Sequence, residues 1–236
     1  MIENLKAMID LGGGWLKECV RTLFSVLRSP SDFMLSRTLD GNPALLEASG
    51  FAAFVSLLNL VTELPLFRTL GVEAETPSYL VVDTVLTYGF WFLYGSIFHA
   101  AARIFRGRGS YQATVVCYLY MTAFVPLQLI LTIPGESALR RLLLESKSPP
   151  DLEFYQRLAP AVTGSFGAVT SSVIAAAAFS YFFFALVSAL RTVHLVGRIR
   201  GFFICTAGLI GRVTVFALVE APTLQLFWQA FRKAAG

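Results

Sequence analysis

The sequence predicts an all-α polytopic membrane protein, a bundle of five transmembrane helices behind an N-terminal amphipathic interfacial helix. Three observations carry that class. Of 236 residues, 56% are hydrophobic and only 14% charged, with a mean hydropathy of +0.65, whereas soluble domains run at about 25% charged. Lipid-facing surface and protein core then ask for the same apolar residues, 21 phenylalanines among them. Long apolar runs recur at the length of about 20 residues that crosses a hydrocarbon core as a helix. Finally, a run such as "SSVIAAAAFSYFFFALVSAL" lacks the apolar/polar alternation over about ten positions that a barrel strand would show.

The first element is residues 1–43. Within it, "ENLKAMIDLGGGWLKECVRTLFSVLRS" places Leu16, Val20, Leu23, Phe24 and Leu27 on one helical stripe, with Lys17, Arg21 and Arg28 elsewhere. That pattern suits a helix lying on the cytoplasmic interface with Trp15 at headgroup depth, and equally a helix packed on the end of the bundle. Gly12, Gly13 and Gly14 read as a hinge. They are no phosphate loop, since neither Gly-Lys-Ser nor a preceding strand accompanies them. With several charges, they also interrupt the N-terminus before any continuous apolar region, so no cleavable signal is read there.

The membrane domain covers 44–225, with spans at about 44–66, 79–104, 111–133, 161–190 and 201–224, and residues 226–236 form a short tail. Punctuation separates the spans: Gly71 and Pro77, then Gly107 and Gly109, Pro134 and Gly135, Pro149 and Pro150, and Gly197 and Gly201. The loop 135–160 reads as two short amphipathic helices capping the outer face. Pro126, with Gln128 beside it, predicts a kink in the third span. The fourth span is rich in small residues (Gly164, Gly167, Ala168, Ser171, Ser172 and Ala175 to Ala178), which predicts close helix packing, inside the bundle rather than between two copies of the chain.

Orientation follows from Lys and Arg near the span ends. Lys6, Lys17, Arg21, Arg28, Arg37, Arg103, Arg106, Arg108, Arg191, Arg198 and Arg200 fall on one side of five spans, eleven in all; Arg68, Arg140, Arg141, Lys147, Arg157, Arg232 and Lys233 make seven on the other. The excess predicts a cytoplasmic N-terminus and an external C-terminus. The turns that carry Arg106, Arg108, Arg198 and Arg200 are cytoplasmic basic turns in this reading.

Ionisable residues at membrane depth are costly and usually find partners in the bundle interior. His99 and Arg103, four apart, share a helix face. Glu47 sits near the start of the preceding, antiparallel span, so an inner cluster of Glu47, His99 and Arg103 is expected, with Glu47 paired to Arg103. An outer cluster is expected from Glu63, Asp83, Arg212 and Glu220, with the Arg212 side chain reaching outward to the acids. Both clusters read either as ion pairs that fix helix register or as a polar path.

No catalytic sequence is present: no H-E-x-x-H, G-x-S-x-G or Walker pattern, so no catalytic residue is named. Cys19, Cys117 and Cys205 lie far apart and read as packed thiols. Metal ligation by Glu47 and His99 lacks enough ligands, so neither metal nor cofactor is expected. The net charge of +4 lacks the contiguous basic face with exposed aromatics of a nucleic-acid binder.

"HAAARIFRGRGSYQATVVCYLYMTAFVP", from His99 to Pro126, resembles the signature of the Yip-domain family of five-span membrane proteins: a helix ending in His-x-x-x-Arg, a Gly-rich turn, Ser-aromatic, and a span with a central proline. "LRSPSDFM" at Leu27–Met34 and "ALRTVHLVGRIRG" at Ala189–Gly201 are similar to its segment before the first span and its link between the last two. The resemblance implies five helices and a cytoplasmic N-terminus. It also implies kinship with eukaryotic proteins that bind small Rab-type GTPases in vesicle traffic, although this chain lacks their long polar N-terminal arm and Asp-Leu-Tyr-Gly-Pro sequence. The compact form resembles the prokaryotic branch. The expectation is a non-enzymatic scaffold or partner-binding module in a bacterial cytoplasmic membrane, in contact with lipids and with another membrane or cytoplasmic protein. The alternative is a small transporter, channel or lipid-moving protein.

Overall fold

The computed structural model describes residues 2–38, 44–69, 76–131 and 166–235, and every element among them is helical. In order these are α1 (Ile2–Arg28), α2 (Pro30–Thr38), α3 (Leu45–Thr69), α4 (Thr76–Ile104), α5 (Tyr111–Met121), α6 (124–131), α7 (Phe166–His194) and α8 (Arg198–Val215). A π-helical turn (Phe216–Glu220) then leads into α9 (Ala221–Ala235). The expected loop 135–160 lies outside the described residues. Four stretches among the described residues are long and apolar enough to cross a membrane: Leu45–Thr62, Tyr111–Leu131, Val169–His194 and Arg198–Leu224.

The bundle is built around α5. Every side chain from Ala113 to Met121 is buried, because α4, α3 and α7 surround this helix, with α1 and α2 closing the remaining side. A helix apolar all round belongs in such a position. Gly95 of α4 lets the two backbones approach, since a Cβ there would stand 3.1 Å from Val115 Cα. Phe98 of α4 fills the space over Gly208 of α8, where a Cβ would meet its ring at 2.2 Å. Small residues at helix crossings supply the van der Waals contact that holds helices together in lipid.

The proline-bearing third span breaks where its chemistry dictates. Pro126 has no N–H to give the Thr122 carbonyl four residues back. The chain tightens there instead, with Ala123 N–H donating to Tyr120 O (3.1 Å) and Val125 N–H to Thr122 O (2.8 Å).

Three expectations change. The triple glycine is no hinge: α1 runs through Gly12, Gly13 and Gly14 unbroken. The helix also has two apolar faces rather than one. Cys19, Thr22 and Val26 are buried in the bundle, while Leu16, Val20 and Phe24 remain exposed. Finally, the small residues of α7 mostly face outward. Ser172, Ala176 and Ala177 are exposed, and the tight packing falls in the next turns, at Phe182, Ala185, Leu186, Ala189 and Leu190.

Both α4 and α7 end in the same hydrogen-bonded turn. Gly107 N–H reaches back to Ala102 O at 2.7 Å, and Val196 N–H to Arg191 O at 3.3 Å. Each closure needs a left-handed residue just before the donor, and these are Arg106 (φ 62) and Leu195 (φ 52) rather than glycines. A non-glycine residue in that region costs about 1–2 kcal/mol. Leu195 is 77% exposed, so its side chain contributes little packing. Leu195→Gly should therefore raise stability by up to about 1 kcal/mol, read as a higher melting temperature in detergent.

Candidate functional site

The polar residues at the basic end of the bundle converge on His194, the last residue of α7. Its side chain is wholly buried. The turn between α4 and α5 wraps around it: Gly109 N–H donates to Nδ1 at 3.2 Å, and Arg108 N–H donates to the His194 carbonyl at 3.1 Å. On the far side of the ring, Nε2 stands 3.0 Å from Thr114 Oγ1 on α5. A backbone N–H can only donate, so Nδ1 carries the lone pair and Nε2 the hydrogen of a neutral ring. The Thr114 hydroxyl donates to Ser110 O at 2.9 Å. Its lone pairs then accept from His194 Nε2–H and from Nδ1–H of His99, also at 3.0 Å. The chain has two histidines, and one threonine oxygen joins them.

The two glycines of "GRGS" exist for this ring. A Cβ on Gly107 would meet His194 Nδ1 at 2.8 Å, and one on Gly109 would meet Val193 O at 2.6 Å and the same ring nitrogen at 2.8 Å. Ser110 caps α5 by accepting from Ala113 N–H at 3.1 Å. Tyr111 sets its ring edge-on to His99 and its hydroxyl 2.8 Å from Ser96 Oγ. The whole basic turn is thereby fixed to two helices. Buried on all sides, the Thr114 hydroxyl has no access for a substrate, and its proton is already committed to a carbonyl. The arrangement joins helices; it offers no nucleophile.

The expected inner cluster comes apart. His99 and Arg103 do share a face, but Arg103 is exposed and makes no ion pair among the described residues. Glu47 pairs instead with Arg37 of α2 at 2.6 Å. Register explains the difference. Ser56 Oγ donates to Thr84 O at 3.3 Å, so Glu47, nine residues earlier on α3, lies level with Leu93, nine residues later on the antiparallel α4. Arg103 is ten residues further on, about 15 Å beyond. The start of α3 and the end of α4 are at different depths.

Of the outer cluster, the side chains of Glu63 and Asp83 lie outside the described residues. Arg212 makes no ion pair among the described residues, and its guanidinium stands 5.3 Å from the Tyr94 ring centroid, a cation–π contact. Glu220 is buried at the end of the π-helical turn. Arg106, Arg108, Arg198 and Arg200 are all exposed at the basic end, without ion pairs among the described residues. All three cysteines are free and buried, and burial, helped by the Glu18 carboxylate, pushes the Cys19 thiol up. No group of three His, Cys, Asp or Glu among the described residues could hold a metal ion.

His194 was missed in the sequence because it stands 95 positions from His99. A usable signal was present: both histidines end an apolar run beside arginine. Truncating His194 should cost about 3 kcal/mol, since it strands the Gly109 N–H and leaves a cavity. Arg103→Ala should stay within about 0.5 kcal/mol of the parent. Paired thermal melts in detergent check this contrast, and equal losses would contradict the site as described.

A family model described as the Yip1 domain matches residues 24–219, which takes in the histidine network, the basic turns, three of the candidate spans whole and the fourth except for its last five residues. Comparison with curated proteins and with solved structures returns no match. The chain is thus an integral, multi-pass membrane protein, and it belongs to the Yip1-domain family.

Proposed function

We propose that the chain is a non-enzymatic scaffold that presents a rigid basic platform to a partner protein at the membrane surface. The observation that supports this most is the use made of the polar groups: His194, Thr114 and His99 are spent on clamping the turn, while Arg106 and Arg108 in that turn and Arg200 in the first turn of α8 are exposed without ion pairs among the described residues. A fixed array of unpaired guanidinium groups suits an acidic protein surface.

The proposal includes five spans, with residues 1–43 at the cytoplasmic surface, 44–225 in the membrane and 226–236 as the tail. It places the basic end in the cytoplasm and the C-terminus outside, in a bacterial cytoplasmic membrane. Parity supports the fifth span. If α3 and α5 both cross in the same direction, α4 must return between them, and its 29 residues reach about 43 Å. The transporter reading draws on Arg212 and on the buried Glu220 that ends a π-helical turn, a feature frequent at functional sites.

In native membranes, the triple charge reversal Arg106→Glu, Arg108→Glu and Arg200→Glu should abolish co-purification of the partner while shifting the melting temperature little. Unchanged co-purification would refute the platform. Proteoliposomes should show no ion flux above empty vesicles, and flux that Arg212→Gln abolishes would favour transport. For topology, thiols introduced by Arg108→Cys and Ser148→Cys should label from opposite sides of sealed vesicles.

A further inference from the structure

A cleft of about 600 Å³ opens between the end of α7 and the start of α8. Its polar rim is Arg191, Arg198 and Ser188. Arg191 lays its aliphatic stem across α8 where Gly201 leaves room, a Cβ there standing 2.2 Å from Arg191 Cγ. The guanidinium Nε is sealed from solvent with no hydrogen-bond partner, a costly condition for a charged group. Neither arginine meets a carboxylate among the described residues. The α8 N-terminus adds to this, because its cap is Gly197, which has no side chain to satisfy the first N–H groups. Positive charge is therefore concentrated here.

The rest of the cleft is apolar. Phe184, Ile199 and Phe202 form its wall and are 65%, 75% and 46% exposed. They continue the outward apolar surface of α7 and α8 towards Phe179 and Ile210. Free phosphate would use only the rim. A ligand that uses both parts has an anionic head and an apolar tail.

We infer that this cleft binds one anionic phospholipid, its phosphate held by Arg191 and Arg198 and its proximal acyl chain lying on Phe184, Ile199 and Phe202. Basic pockets between transmembrane helices recognise anionic headgroups in this way. The site is independent of the partner platform proposed above, and purified protein tests it alone.

The test titrates the purified full chain in a neutral detergent with dioleoylphosphatidylglycerol, dioleoylphosphatidylcholine or inorganic phosphate, following the melting temperature. The anionic lipid should raise it saturably, and the other two should not. Arg191→Gln combined with Arg198→Gln should weaken the lipid response by about tenfold or more. Arg103→Gln, which removes the same kind of charge at an exposed position away from the cleft, should leave it intact. If the double variant does not fold, Arg198→Gln alone, at an exposed position, should still weaken it several-fold. An equal response to phosphatidylcholine, an equal response to phosphate, no response to phosphatidylglycerol, or a parent-like response in the arginine variants would each overturn the site.

Discussion

The bundle depends on one imidazole that joins two helix hairpins. His194 ends α7, yet its hydrogen bonds go to the α4–α5 turn and to α5 itself. In lipid, apolar contact between helices has no hydrophobic driving force behind it, so polar links and close fit decide which helices meet. This link does both. Its ring fills the space that Gly107 and Gly109 leave open, and its two nitrogens satisfy a turn N–H and a threonine hydroxyl. With the hairpins joined, α5 is enclosed on every side, and the exposed arginines acquire a fixed frame.

Two helices that meet at this joint end in unfavourable backbone. Arg106 and Leu195 adopt left-handed geometry at the ends of α4 and α7, and the next residues lead directly into the turn contacts. Glycine at 106 would relieve strain, but the glycines of this turn stand at 107 and 109, where the imidazole needs clearance.

Much of this was legible in the sequence. Apolar length with Gly and Pro punctuation located the helices among the described residues, and Pro126 marked the break near Thr122. The motif from His99 to Pro126 carried the family. Depth was not legible. Pairing Glu47 with Arg103 assumed that a span start and a span end lie in one plane, whereas α3 begins about 15 Å short of the end of α4, where Arg37 of α2 reaches its carboxylate. Nor does a lone histidine after Arg-Thr-Val announce a contact 80 residues away. Spacing along one helix can be read from residues; the vertical offset between helices is set by packing that no single segment encodes. The outward-facing small residues of α7 teach the same lesson, since composition alone does not say which side of a helix has neighbours.

The π-helical turn has a consequence for everything after it. At its end, Ala221 N–H reaches Phe216 O, five residues back, so one residue more than an α-helix would use fits into the same rise. That surplus residue rotates the helix downstream by about 100°. Glu220 is turned inward, and α9 presents a different face to α4 from the one an unbroken α-helix would present. A one-residue deletion here would leave length, composition and hydropathy almost untouched, yet every later side chain would face the wrong way, like a screw thread started one notch off.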